Sequence, residues 1–226
     1  MKAWKILGLA LVGYSLYAGL MNNVPRIDIL NETIRNLYFH VPMWFTMIAL
    51  LGGSLASSIR LLRSGDAGQA LELDHDRQAK NFAEVAMVFA ILGLLTGMAW
   101  GKATWGTYWT TDPKLNGTAV TLLIYAAYFV LRGSVDESEK KARLGAVYNV
   151  FSFVLMIVFI GILPRMTDSL HPGNGGNPAF GNYDLDNEMR MVFYPAVIGW
   201  ILLGWWIATI RVRIARLADL RLNKNP

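Results

Sequence analysis

Two histidines, a tryptophan-rich loop and a few cations hold most of the chemistry open to this 226-residue chain. It has three histidines and no cysteine, so neither a disulfide nor a thiolate is available and metal ligation falls to imidazole or carboxylate. His40 lies in "YFHVP" and His171 in "SLHPG". Between them runs "WGTYWTTDPK", Trp105 to Lys114, which packs three large aromatic residues, an acid and a base into ten positions. Imidazoles ligate metals, indole and phenol rings offer flat apolar surface, and Lys or Arg pairs with carboxylates. Taken singly, each feature has an ordinary explanation. Trp and Tyr anchor helices at membrane interfaces. A lone His at a helix mouth is usually a hydrogen-bonding residue, and Asp112 before Pro113 is a routine turn or N-cap residue.

The elements that must position these residues are apolar and long. Hydrophobic residues make up 54% of the chain. Ile6–Met21, Val41–Ile59, Val85–Gly101, Leu115–Leu131, Leu144–Pro164 and Met191–Ile210 contain no Asp, Glu, Lys or Arg and run 16 to 21 residues. About 20 such residues cross a bilayer core as a helix, with a range of roughly 17–25. Trp4 and Lys5 extend the short first run by reaching toward the interface. The pattern predicts an all-α integral membrane protein of six transmembrane helices and excludes a barrel, whose strands alternate over about ten residues. Lys2 and Lys5 before an apolar stretch also fit a secretory signal, but Tyr17-Ala18-Gly19 is a poor cleavage site, and a retained helix is expected.

Lys and Arg divide unevenly between alternate loops, 15 on one side and 6 on the other. Positive charge stays on the cytoplasmic side, so both termini are expected there. The net charge of +5 is then accounted for by loops facing anionic lipid, with no nucleic acid required. The tryptophan loop falls on the outer face between the third and fourth helices, with His40 and His171 beside it. His75, in "LDHDR", falls on the opposite side, where it is expected only to titrate in water.

The first outer loop carries a stripe, Ile27, Leu30, Ile34, Leu37 and Val41, with Arg26, Asp28, Glu32 and Arg35 between. This predicts an amphipathic helix from Pro25 to Phe39 lying in the outer interface, with Pro42 near the first turn of the helix that follows. The third outer loop, Arg165–Arg190, is rich in Gly, Asn and Pro and holds His171. The inner loops, Leu61–Lys80 and Asp136–Lys141, read as a solvated connection and a helix start without phosphate-cradling glycines.

Together these residues match one ligand class. Two outward imidazoles, an aromatic surface and the cations Arg35, Lys102, Lys114 and Arg165 suit a flat, apolar, metal-centred molecule fringed with carboxylates. Haem meets each term: its iron takes axial imidazoles, its ring packs on aromatics, and its propionates pair with Lys or Arg. A bare zinc site usually wants three or four protein ligands. No general base stands beside a nucleophile in the outer loops, so the chain does not read as an enzyme.

At these residues the sequence resembles the CcmC (haem exporter protein C) family of haem-handling membrane proteins of cytochrome c maturation. The likeness rests on "WGTYWTTDPKL", "YFHVP" before the second helix and "SLHPG" before the last, and covers essentially the whole chain as one domain, residues 1–226. The family motif reads roughly W-G-x-x-W-x-W-D-x-R-L. Trp105, Gly106, Trp109, Asp112 and Leu115 match it, while Thr111 stands for a Trp and Lys114 for an Arg. Tyr108 supplies ring area near the lost Trp.

The resemblance implies that haem b is held transiently at the periplasmic face of a bacterial inner membrane. His40 and His171 become its axial ligands, Trp105, Gly106, Tyr108 and Trp109 the supporting loop, Asp112 the keeper of loop shape, and Lys114 a propionate partner. It further implies presentation of haem to the chaperone CcmE, beside the ABC-type subunits CcmA and CcmB and the small membrane protein CcmD. His171, on the Gly-rich loop, is the ligand expected to exchange. The alternatives are a bis-His b-type cytochrome in electron transfer, or a haem lyase acting directly on apocytochrome.

Overall fold

The computed structural model describes residues 2–26, 30–64, 69–171 and 185–222. Its elements are α1 (Ala3–Met21), a 3-10 turn (Asn31–Asn36), α2 (Leu37–Arg63), α3 (Gln69–Trp105), α4 (Pro113–Gly133), α5 (Ser138–Met156), a π-helical segment (Ile157–Ile162), α6 (Leu163–Met166) and α7 (Asn187–Leu222). There is no strand among the described residues. Six helical stretches are long and apolar enough to cross a membrane, each containing one of the six uncharged runs. A membrane span must satisfy its own backbone, and the unbroken helical ladder over these runs does so.

The bundle centres on α2, which packs along α3, α5 and α7, while α1 lies on α7 and α4 on α5. Small residues permit the α1–α7 approach: a Cβ on Gly199 would stand 2.8 Å from Leu11 Cβ, and one on Gly8 3.0 Å from Leu202 Cβ. The main core joins Met47, Leu50 and Leu51 of α2 to Phe82, Ala86 and Phe89 of α3 and to Tyr125 and Tyr128 of α4. Asn149 of α5 crosses to α2 by donating to the Ser54 and Ser58 hydroxyls, each at 2.8 Å.

The first-loop stripe takes a different form from the one expected. Helix begins at Asn31 as a tight six-residue 3-10 turn fused to α2, and residues 27–29 lie outside the described residues. Its apolar side faces protein: Ile34 is buried with Ala18 of α1 and Leu185, Met189 and Phe193 of the α7 region. A protein groove thus takes the described part of the stripe, Leu30 to Val41. Pro42 consequently sits well inside α2 and is buried there.

At the end of the bundle opposite the tryptophan loop, the charged connection is mostly helix. α2 ends at Arg63 and α3 starts at Gln69, so the polar stretch up to Lys80 extends α3. Ion pairs hold that extension. Arg132 grips Asp76 with two bonds of 2.6 and 2.7 Å, Arg216 grips Asp74 with two of 2.7 Å, and Arg143 reaches Glu72 at 2.6 Å. Arg77 pairs with Asp219, and Arg211 with Glu84. His75 belongs to this helix, and its Nδ1 is buried without a hydrogen-bond partner among the described residues, so it is not simply a solvated group. These pairs tie α3 to α4, α5 and α7 at this end, and a cavity lies at the other.

Candidate functional site

That cavity, of about 460 Å³, lies between α2, α3, α4 and the π-helical segment, beneath the tryptophan loop. Cofactor sites commonly measure about 300–1,000 Å³ and are mostly apolar with a few placed polar groups. Here the wall includes Trp44, Phe45, Trp100, Trp105 and Ile160, and the polar groups include His40, His171, Lys114 and Arg165. Pro164 has no N–H to return to the carbonyl of Ile160, and the helix widens into its π turn just before it.

His40 is set by glycine on α3. A Cβ at Gly97 would stand 2.6 Å from His40 Cε1, and one at Gly93 2.8 Å from Trp44 Cε2, so both rings lie directly on the α3 backbone. His40 Nδ1 is 2.9 Å from the Gly93 carbonyl oxygen and 3.2 Å from Thr96 Oγ1. A carbonyl only accepts, so Nδ1 carries the proton and Nε2 keeps the lone pair. Trp44, one turn along α2, donates its Nε1–H to that Nε2 at 3.3 Å. Trp100 meets the imidazole edge-on at 6.0 Å and donates to Thr33 Oγ1 at 3.2 Å.

His171 is set by Asp112. The Asp112 side chain is fully shielded from solvent. One carboxylate oxygen accepts from His171 Nδ1 at 2.9 Å and from the Lys114 and Leu115 N–H groups at 2.9 and 3.3 Å. The other accepts from Ser169 Oγ at 2.8 Å and the Leu170 N–H at 2.7 Å. Asp112 is therefore both the N-cap of α4 and the clasp that binds the His171 segment to it. Burial alone pushes its carboxyl up, but the His171 and Ser169 hydrogen bonds and the charge of the imidazole outweigh burial and hold it well below the ordinary carboxylate range. With Nδ1 committed, His171 also offers Nε2, and Trp105 stands edge-on to its ring at 5.1 Å.

The loop between Trp105 and Asp112 is held by its own short side chains. Gly106 takes φ +77°, the left-handed turn that ends α3, and Lys102 Nζ caps the same end by donating to the Gly106 carbonyl at 2.8 Å. Thr110 Oγ1 accepts from the Asp112 N–H, and the Thr111 carbonyl accepts from Asn116 Nδ2. Thr111 thus contributes its backbone to the loop where the family motif has an indole.

The structure divides the residues expected to form one site. His40, His171, Trp105, Tyr108 and Lys114 border the cavity, whereas Gly106, Trp109 and Asp112 do not. Trp109 is 40% exposed, its indole donating to Asn116 Oδ1 at 3.2 Å. The four cations divide as well. Lys114 and Arg165 line the cavity; Lys102 is used at Gly106, and Arg35 is used on the Gly19 and Asn22 carbonyls and Glu32. The sequence pattern marks no role for Trp44, Gly93, Thr96, Gly97 or Ser169. Gly93, Gly97 and Gly101, four apart in the third apolar run, form the signal that marks a close-packed face. Nothing in the sequence marks Ser169.

The donor set fits haem. Each imidazole has its Nδ1 committed to an acceptor, the walls are aromatic, and two cations line the cavity. Among the described residues no three His, Asp or Glu side chains converge to hold a bare ion.

A family profile described as heme exporter protein C matches residues 1–224. The chain is 27% identical over 197 residues to a heme exporter protein C of Paracoccus denitrificans, covering 85% of this chain and 79% of that protein. It is 33% identical over 119 residues to that of Bradyrhizobium diazoefficiens, covering 52% and 43%, and 28% identical over 132 residues to that of Escherichia coli K12, covering 58% and 51%. A shorter stretch of 78 residues is 37% identical to a cytochrome c biogenesis protein CcsA of Prochlorococcus marinus, covering 34% of this chain. With a match that runs from one end of the sequence almost to the other, and includes both histidine elements and the tryptophan loop, the chain belongs to the heme exporter protein C family.

Proposed function

We propose that this chain handles haem for cytochrome c maturation, and that His40 and His171 would hold the iron of haem b at the periplasmic face of a bacterial inner membrane. One observation carries the reading. Two imidazoles from different elements border one aromatic-walled cavity, each with Nδ1 tied to an acceptor so that Nε2 is the ligating atom. Tying Nδ1 in this way is how proteins orient metal-ligating histidines. The family name and the uneven Lys and Arg distribution support the process and the side of the membrane.

Bound between these rings, haem supplies an iron that takes two nitrogen ligands; the rest is the work of this chain. Trp44, Trp100 and Trp105 shield the macrocycle from water, and Lys114 and Arg165 pair with the propionates at the rim. Tyr108 and Trp109, 57% and 40% exposed, form the surface shown to the acceptor, the chaperone CcmE. CcmA, CcmB and CcmD are the expected companions in the membrane. The chain positions haem for attachment, and no residue of it acts as a catalytic acid or base.

The test is the absorption spectrum of the purified, haem-loaded protein. The His40→Ala/His171→Ala double variant should lose the six-coordinate spectrum, and an unchanged spectrum would remove both ligands from the account.

A further inference from the structure

We infer that the two imidazoles hold iron unequally, with His171 anchored by Asp112 and His40 made ready to let go by Trp44. The inference rests on the haem reading above and extends it to the order in which the ligands are lost. It also reverses what the Gly-rich sequence after His171 suggested.

The partners on Nδ1 differ in kind. His171 donates to a carboxylate that is shielded from water and fixed by four further donors from two chain segments. A carboxylate on Nδ1–H raises the basicity of Nε2 and locks the ring. His40 donates to a neutral carbonyl, which polarises the ring less.

The partners on Nε2 differ more. His40 Nε2 already has the Trp44 indole N–H aimed at it, and at 3.3 Å that bond is long enough to yield to a stronger ligand. His171 Nε2 has no such donor among the described residues. Were His40 to leave the iron, the same Nε2 lone pair would take the Trp44 N–H, with no proton or electron transferred. Trp44 satisfies the nitrogen that would otherwise be left bare in an apolar wall, so it lowers the cost of the vacated state. Replacing it should slow release, and replacing Asp112 should weaken the anchor.

Four variants of the haem-loaded protein test this: Trp44→Phe, Asp112→Asn, His40→Ala and His171→Ala. Trp44→Phe should slow haem loss to excess apomyoglobin several-fold. Asp112→Asn keeps an N-cap side chain for α4 and should lower haem affinity about 10- to 100-fold. It should also raise the haem midpoint potential, since a less basic imidazole stabilises ferric iron less. A tenfold preferential loss of the ferric form corresponds to about 59 mV. His40→Ala should retain a five-coordinate haem that added imidazole restores to six, and His171→Ala should lose haem outright.

Unchanged potential in Asp112→Asn, or faster release from Trp44→Phe, would overturn the inequality. If both single Ala variants lose haem equally, the two ligands are equivalent and the inference falls while the haem site stands. If both Ala variants keep the parent spectrum, the site reading itself fails, a distinct result.

Discussion

Gly97→Ala sets helix stability against site geometry. In the middle of α3 the change should favour the helix by about 1 kcal/mol, since Ala exceeds Gly in helix propensity. The site meets the opposite effect. The new methyl would stand 2.6 Å from His40 Cε1, and ordinary contact starts at 3.4 Å, so the ring must retreat by about 0.8 Å. It has little room to do so. Nδ1 is held at 2.9 Å by the Gly93 carbonyl, and the ring meets both Trp44 and Trp100 edge-on at 6.0 Å. Retreat breaks the Nδ1 bond, worth about 0.5–1.5 kcal/mol, and moves Nε2 off its ligating position. Disturbing a ligand's support commonly costs about 10- to 100-fold in affinity, and that is the loss expected for haem titrated into purified protein and followed at the Soret band. Thermal unfolding of the haem-free variant should change little, because the helix gain and the lost hydrogen bond nearly cancel. An unaltered haem affinity with an unaltered six-coordinate spectrum would show that His40 is not the ligand or that Gly97 does not position it.

Other outcomes follow from the same geometry. Trp105→Ala removes a cavity wall beside His171 and should weaken haem retention, whereas Trp109→Ala should retain haem and reduce loading of CcmE at matched membrane abundance; the reverse pattern would contradict the division of the loop. Arg132→Ala leaves the half-buried Asp76 without its partner and should cost about 3 kcal/mol or less in detergent unfolding, with Arg132→Met/Asp76→Leu costing less than the single change. Asp112 has a depressed folded pKa, so its stabilisation is complete above the unfolded carboxylate value of about 3.9 and is lost as pH falls through the folded value. The parent should therefore lose stability more steeply in acid than Asp112→Asn, and parallel acid-unfolding curves would refute the clasp. Asn149→Leu should destabilise the bundle by about 1–3 kcal/mol, because the Ser54 and Ser58 hydroxyls lose a donor in the core.

The sequence by itself determined the six helices, because an uncharged run of bilayer length has one stable backbone solution in lipid. It also marked Asp112 as a turn or cap residue, since capping depends on neighbours along the chain, and the structure makes it the N-cap of α4. The histidines were legible as candidates because only three exist. The tertiary structure alone decided which helices face one another, and with that everything reaching across the cavity. Asp112 meets His171 across 59 positions, and His40 meets Gly93 across 53, contacts that no local pattern encodes. It likewise sent Ile34 into a protein groove rather than lipid, a choice that hydrophobic periodicity cannot make because both surroundings are equally apolar. Arg35 and Lys102 drew away from the site for a related reason. A cation near a helix end finds backbone carbonyls within reach, and only packing reveals which cations have been taken.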